Sequence, residues 1–478
     1  MMKMFRGGWA AQAAAVLLAA GPMLSQAKEA ALRPNIILIL ADDLGYGDLG
    51  CYGQAKIKTP NIDKLAAEGM RFTDFYAGGA VCAASRNCLM TGQTTGHAAI
   101  RGDTPEHSLD AGDLTVAQLL KEGGYHTGLI GKWGLGGENT PGSPDRKGFD
   151  DFAGFLRQNQ PNSYYSDFVF RFDPRVGFRG REELPENRGG KRGMYLPDLF
   201  ATGALNYIRV HRPSSAGQQP FFLFFSALMP HADVKSSNIP SDKPYSSEPW
   251  PQVEKDKAAM ITRLDGTVGR IMDKLKQLKL DDTTLVIFTS DNGPQKQGSL
   301  NPKFFDSTRS FRGNEGDLHE GGIRVPLIAR WPGRIAGGSV SHELGAFWDF
   351  LPTVADLAGV TVPEQTDGIS MLPTLLGQDQ TNHHAFLYWE SHDQGFQQAA
   401  RMGDWKALRL EPHGPLELYD LKTDPGEKDN VSEKNPEAAS KLEACLNSAW
   451  TANPDWPVIA PADRKDHAPS GKPGKAGQ

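Results

Sequence analysis

The chain is poor in cysteine, with four in 478 residues, at positions 51, 82, 88 and 445. Exported proteins that rest on a disulfide framework carry more, at regular spacings, so cysteine is not the scaffold here, although one bridge is possible. No long run of lysine or arginine occurs and the formal charge is −6, which argues against nucleic acid as a partner. Internal repeats are absent. Beyond the N-terminus no apolar stretch is long enough to cross a bilayer, so no membrane association is expected of the mature chain. With 39% hydrophobic and 23% charged residues, disorder is excluded as well. The length suits one large α/β domain with a smaller appendage.

The first residues read as an export signal. Lys3 and Arg6 form a positive region, an Ala/Leu/Val-rich stretch runs from Trp9 to Ala20, and Ser25-Gln26-Ala27 offers a small-x-small cleavage pattern. Removal of residues 1–27 and a periplasmic or secreted location are therefore expected; the alternative is an uncleaved N-terminal anchor.

Four apolar runs stand out, each followed by polar groups. Asn35 to Leu40 leads into Asp42-Asp43, and Thr127 to Ile130 into Gly131-Lys132-Trp133. Phe221 to Phe225 leads through Ser226 to Pro230-His231, and Thr284 to Thr289 into Ser290-Asp291-Asn292-Gly293. Short, non-alternating runs of this kind suit strands covered on both faces of a parallel sheet. Helices are expected between them. Thr59-Pro60 opens one that Gly69 closes, with threonine as N-cap; Thr115 to Glu122 forms another; and apolar residues at three- and four-residue steps mark a long one over about Glu254 to Leu278. Strand–helix alternation implies an α/β fold, in which ligands bind beyond the carboxyl ends of the strands. The polar groups after the four runs should then meet at one site.

Near residues 377–380 a boundary is expected. Beyond it Ala385 to Glu390, Trp405 to Leu410 and Leu416 to Leu421 read as short strands, followed by a helix over about Pro436 to Trp450. From Asn453 onward Pro, Lys, Gly and Asp dominate, and a frayed tail is expected.

Chemistry can be read at two places. If the ends of the first and last runs meet, Asp42, Asp43 and Asp291 share a small volume with the Asn292 amide. Carboxylates that close repel unless they are protonated or neutralised by a cation, and an all-oxygen donor set favours calcium or magnesium over zinc. Each motif alone reads equally well as a turn; together they favour a metal. The second place is Cys82 to Arg86. Most cysteines among small residues are inert, but an arginine four residues on, at a helix start, would make a site suited to an oxyanion.

This segment resembles the sulfatase signature, in which cysteine, Pro or Ala two residues later, and arginine at the fifth position mark a residue converted to formylglycine (3-oxoalanine). Asn35 to Gly50, Thr91-Gly92, Gly96-His97, Gly131-Lys132-Trp133, Pro230-His231, Ser290 to Gly293 and Glu320 to Pro326 match further blocks in order, and Gly403 to Lys406 with Glu417 to Leu421 match the C-terminal end. The resemblance implies an alkaline phosphatase-like α/β fold with a mostly parallel central sheet flanked by helices. It also implies a catalytic domain over 33–377, a C-terminal α+β subdomain with a small antiparallel sheet and a helix over 378–452, and a flexible tail over 453–478. It implies a sulfuric ester hydrolase in which hydrated formylglycine at Cys82 is the nucleophile. One geminal hydroxyl would attack sulfur, and the other would later expel sulfate by re-forming the aldehyde. Asp42, Asp43, Asp291 and Asn292, with the modified Cys82, would hold one Ca2+. Arg86 would keep the modified residue activated and help neutralise the site, Lys132 would contact sulfate or the leaving oxygen, and His231 would assist the leaving group. A formylglycine-generating maturation enzyme is an implied partner. His97, His319 and Arg324 are expected to support rather than catalyse.

The chain departs from the pattern at Gly134, where many relatives carry histidine, and at Glu315, where many carry lysine. A glutamate facing sulfate is repelled, so Glu315 is expected to point elsewhere or to meet a cationic or hydroxyl-rich part of the substrate; Lys303 or Arg309 could supply the missing charge. The Gly-Lys-Trp-Gly-Leu-Gly form, with Tyr164-Tyr165 downstream, looks like carbohydrate sulfatases of polysaccharide-degrading bacteria. It makes Arg157 to Tyr165, with Gln158, Asn159, Gln160 and Asn162, a candidate for contacts to a sulfated carbohydrate. Ala84 in place of proline leaves open which maturation system acts. Two other readings compete: a phosphodiester or phosphonate hydrolase of the same superfamily, and a non-catalytic binder of sulfated glycans.

Overall fold

The computed structural model describes residues 33–458 apart from 104–106, 158–163, 214–218, 232–238, 297–299 and 394. The export signal, most of the tail and the candidate sugar contacts Gln158, Asn159, Gln160 and Asn162 lie outside the described residues.

The strands, in chain order, are β1 (Asn35–Asp42), β2 (Met70–Phe72), β3 (Phe75–Tyr76), β4 (His126–Lys132), β5 (Asp151–Phe155), β6 (Phe168–Asp173), β7 (Phe178–Glu183) and β8 (Phe221–Pro230). Then follow β9 (Thr284–Ser290), β10 (Leu327–Arg330), β11 (Ser339–Ser341), β12 (Gly345–Ala346), β13 (Leu387–Ser391), β14 (Gln397–Met402), β15 (Trp405–Arg409) and β16 (Glu417–Asp420). Ten of them form one sheet in the order β11-β2-β10-β9-β1-β8-β4-β5-β6-β7. Its centre, β9-β1-β8-β4-β5, is parallel throughout, so these strands end at the same edge. The antiparallel members are β10 on one side and the β6–β7 hairpin on the other.

The four apolar runs are all in this parallel centre, and the physical reason is burial on both faces. Ile36, Leu38 and Leu40 of β1 pack into one core with Phe222 and Phe224. The alternate residues Ile37 and Ile39 pack into the other with Leu223 and Phe225. A fully buried side chain of this size contributes about 1.5–3 kcal/mol, so a polar residue on either face would be costly until the strand ends. The helices α1 (Pro60–Ala67), α2 (Cys82–Thr91), α3 (Val116–Glu122), α4 (Leu196–His211) and α5 (Gln252–Gln277) lie between strands as expected. Thr115 caps α3, accepting from Gln118 N in a capping box. Thr59 precedes α1 but does not cap it: its hydroxyl donates to Asp63 and accepts from Gly50 N. Asp265 of α5 takes the Asn61 and Ile62 amides instead, through its Oδ1 at 2.9 and 2.8 Å.

Strands β13 to β16 form a separate antiparallel sheet. One face, with Trp389, Leu408 and Tyr419, packs on Tyr76 and Trp348; the other packs on Leu442 and Leu446 of the helix Pro436–Ser448. Strand β14 was not visible in the sequence because Gln397 to Met402 contains no β-branched or aromatic residue; its place between β13 and β15 decides its conformation. The tail also differs from expectation at its start: Trp456 is buried and its Nε1 donates to the Ala99 carbonyl at 2.8 Å. All four cysteines are free, so the possible bridge does not form. Among the described residues no helix is long and apolar enough to cross a membrane.

Candidate active site

Because β1, β9, β4 and β8 end together, Asp42, Asp291, Lys132 and His231 emerge at one edge. Helix α2 brings Cys82 to the same place as its first residue. Cys82 Sγ lies 3.4 Å from Asp42 Oδ1 and 3.7 Å from Asp43 Oδ1. Ligand atoms of Asp42, Asp43, Cys82 and Asp291 all lie within 4.8 Å of one another, and all four residues are buried. Asp43 turns the chain just after β1 with φ of +63°, a left-handed conformation that aspartate tolerates better than most residues. That turn lets its amide donate to Asp291 Oδ1 at 3.0 Å while its own Oδ1 accepts from Asn292 Nδ2 at 2.7 Å.

Arg86, one turn along α2, is fully buried. Its Nε and Nη2 donate to Asp291 Oδ2 at 3.1 and 2.7 Å, and Nη2 also donates to Asp42 Oδ1 at 3.2 Å. Its Nη1 donates to the Lys132 carbonyl at 3.0 Å and to Ser226 Oγ at 2.6 Å. These bonds use all five guanidinium N–H groups. Arg86 therefore neutralises and orients the carboxylates and has no donor left for an oxyanion, contrary to the contact expected from sequence. Lys132 Nζ, also buried, binds both oxygens of Asp42 at 2.9 and 3.0 Å.

The electrostatics follow from this crowding. Burial pushes Asp42 up, but the Lys132 and Arg86 cations outweigh it and hold its carboxyl well below the usual range. Burial raises Asp43, with the Asp42 charge adding to it. Burial and then Asp42 push Asp291 up to about 7. Three carboxylates thus face two cations, a deficit of one positive charge. Burial, then Asp291, also pushes the Cys82 thiol well above its ordinary value, so it is no thiolate nucleophile as it stands. Two acceptors, Asp43 Oδ2 and Asn292 Oδ1, are buried without a hydrogen-bond partner. Orphaned buried oxygens on residues of a carboxylate cluster fit a hard divalent cation such as calcium or magnesium.

His231 follows β8 at the rim of the site, its Nε2 3.7 Å from Asp43 Oδ2. Its carbonyl accepts from the Tyr164 hydroxyl, which also donates to Leu228 O at 2.7 Å. Tyr164 is thereby a buried tie for the β8 terminus, not an open surface for a sugar. Glu315 is half-buried and lies in the field of Asp43, Lys132 and Asp291; burial, then Asp43, push its carboxyl up to about 9. Lys303 lines an adjoining groove with Lys296, Arg312 and Lys428, while Arg309 is committed to the Gly53 carbonyl and to Asp306. Among the described residues no hydrogen bond or ion pair links Lys303 or Arg309 to the carboxylate cluster. His97 pairs with Asp367, Arg324 with Asp74 and Glu320, and His319 is buried, its pKa pushed down to about 3 by burial and then Lys406.

Sequence reasoning missed Ser85 and Ser226. Ser226 left a signal, as the one hydroxyl in the apolar run from Phe221 to Met229. Ser85, whose Oγ donates to the Asp291 carbonyl, lies inside the signature segment.

Comparison with known proteins agrees with this geometry. The Sulfatase family model matches residues 34–360, and the model of the N-sulphoglucosamine sulphohydrolase C-terminal region matches 316–450. N-acetylgalactosamine-6-sulfatase of Canis lupus familiaris is 34% identical over 385 residues, covering 74% of this chain and 68% of its own. N-acetylgalactosamine-6-O-sulfatase of Bacteroides thetaiotaomicron is 30% identical over 503 residues, covering 88% and 93%. The solved structure of Ps i-CgsB in complex with k-i-k-neocarrahexaose superposes with a TM-score of 0.74 at 29% identity, covering 89% of this chain and 95% of that one. The chain belongs to the sulfatase family. It is a sulfuric ester hydrolase with the alkaline phosphatase-like fold of that family.

Proposed function

We propose that this sulfatase removes sulfate from a sulfated carbohydrate, after export and after a maturation enzyme has converted Cys82 to formylglycine. The names of the relatives, which are sulfatases of a sulfated amino sugar, support the substrate class, as does the carrageenan-type oligosaccharide in the similar structure. The observation that carries the reading is Cys82 Sγ within 3.7 Å of both Asp42 and Asp43, beside two orphaned buried oxygens.

Asp42, Asp43, Asp291 and Asn292 would hold one calcium ion. Bound there, calcium offsets negative charge developing on a sulfate oxygen, and the hydrated aldehyde provides a nucleophilic hydroxyl. The chain's own residues do the rest. Arg86 holds Asp42 and Asp291 in place and favours their ionised forms. Lys132 spends two N–H groups on Asp42 and turns its third toward a sulfate oxygen. His231, anchored through its carbonyl, donates a hydrogen bond or a proton to the leaving oxygen. The first-turn amides of α2, which Val81 does not cap with a side chain, add a positive field that favours an anion.

Mass spectrometry of the tryptic peptide from Phe72 to Arg86, from protein made in its native host, tests the first step. We expect oxygen in place of the Cys82 thiol. Turnover of a panel of sulfated sugars, phosphodiesters and phosphonates, with Cys82→Ala as control, tests the second. We expect sulfated sugars to rank first and the control to be inactive. An unmodified thiol, or hydrolysis by the control equal to wild type, overturns the reading.

A further inference from the structure

A second convergence of ligand-type side chains lies at the opposite edge of the sheet, where the parallel strands begin. His126 opens β4, Asp151 opens β5 and His211 closes α4. One ligand atom from each lies within 4.8 Å of the other two. His126 Nε2 is 2.6 Å and His211 Nε2 3.1 Å from the same oxygen, Asp151 Oδ2. The imidazoles stack side by side, ring centroids 3.9 Å apart and planes within 15°, so both present Nε2 to that carboxylate.

Hydrogen bonding leaves part of this arrangement unused. His126 Nε2 is hydrogen-bonded to Asp151 Oδ2 at 2.6 Å, but His211 Nε2, close to the same carboxylate, makes no hydrogen bond to it. Asp151 Oδ1 has no hydrogen bond either and meets the Arg175 guanidinium as an ion pair at 3.4 Å. A cation among the three groups would bind His211 through Nε2, the atom hydrogen bonding leaves idle, and would keep two stacked imidazoles from both needing a proton.

The surroundings fit that cation. His126 Nδ1 lies 3.6 Å from Asp150 Oδ2, an ion-pair contact from which a small ring adjustment would make the carboxylate–histidine hydrogen bond that orients a ligating imidazole. Asp150 is itself held by Thr127 N at 3.0 Å and by Lys121 Nζ at 2.5 Å. Asp151 also lines a cavity of about 330 Å³ with Arg171, Asp173 and Tyr207, through which water can reach the cluster. Donors sharing a tetrahedral ion at ordinary zinc bond lengths stand about 3.3 Å apart; the His211–Asp151 contact at 3.1 Å is near that spacing, and the His126–Asp151 contact at 2.6 Å would have to open by about 0.7 Å. Two imidazole nitrogens and one carboxylate suit zinc rather than calcium. The geometry points to a structural transition-metal site, held by His126, Asp151 and His211 and completed by water, that ties β4 and β5 to α4. Its donors are distinct in kind and place from the all-oxygen cluster of the active site.

Cobalt(II) is the probe. The full mature protein is stripped with chelator, saturated with calcium to fill the acidic cluster, and titrated with Co2+. We expect one equivalent to give the visible absorption of a tetrahedral nitrogen–oxygen site and to be displaced by Zn2+. The signal is retained in Asp291→Asn. It weakens at least tenfold in His211→Gln and in His126→Gln, both checked for folding by circular dichroism and for unchanged sulfate hydrolysis. No visible absorption, or an affinity unchanged in the folded histidine variant, overturns the inference and leaves the three residues as an ion-paired cluster only.

Discussion

At the scale of single residues, Arg86 shows why charge alone does not describe the site. Its planar fork reaches two carboxylates, a serine and a main-chain carbonyl at once, and lysine has at most three donors on one point. Arg86→Lys should therefore lower stability by about 2–3 kcal/mol, because buried acceptors lose partners. It should also cut kcat/KM about a hundredfold or more, as the carboxylates lose their alignment. Denaturant melts and steady-state kinetics check this. The extent of conversion at Cys82 in the same variant separates a misaligned site from failed maturation. Gly134 and Glu315 belong at this scale too. Gly134 has φ of +85°, so a histidine there would strain the backbone. Glu315 is half-buried beside Gly316, and burial, then the Asp43 charge, push its carboxyl above the ordinary value.

At the scale of elements, the site depends on how closely β4 and β8 approach at their ends. Gly131 has φ of +115°, and a Cβ on it would fall 1.7 Å from the Ser226 carbonyl oxygen. Gly131→Ala should cost about 3–5 kcal/mol, since neither the backbone angle nor the main-chain neighbour can yield cheaply; the melting temperature measures it. The central strands were legible from their short, non-alternating apolar runs, which only double-sided burial permits. The β6–β7 hairpin and β14 were not. β7 is largely exposed and charged, and β14 owes its extension to the strands beside it. The N-terminus of α1 was located correctly but its cap was not, because the carboxylate that takes its amides comes from Asp265, far away in the chain.

At the scale of the molecule, the smaller sheet is joined to the main body partly through His384 and Asp349. His384 Nε2 lies 2.7 Å from Asp349 Oδ1, and Asp349 also accepts from the Ala346 and Ile369 amides. Burial alone would depress the histidine, but the Asp349 carboxylate outweighs it and raises its pKa above the ordinary value. The stability it adds is complete below the unfolded value of about 6.5 and is lost as pH rises through the raised folded value. The melting temperature of wild type should accordingly fall more steeply between about pH 6 and pH 9 than that of His384→Asn, the two converging at the alkaline end. Parallel curves would remove this role.

The sequence by itself determined which strands are buried on both faces, which polar residues stand at their carboxyl ends, and the class of chemistry those residues serve. Those properties are local, set by side-chain period and by the groups that follow each apolar run. Tertiary structure alone decided who meets whom: the five bonds of Arg86, the buried Tyr164 and the histidine pair at the far edge. The physical reason is that these contacts join residues many positions apart, and only the lateral order β9-β1-β8-β4-β5, with its register, brings them within bonding distance.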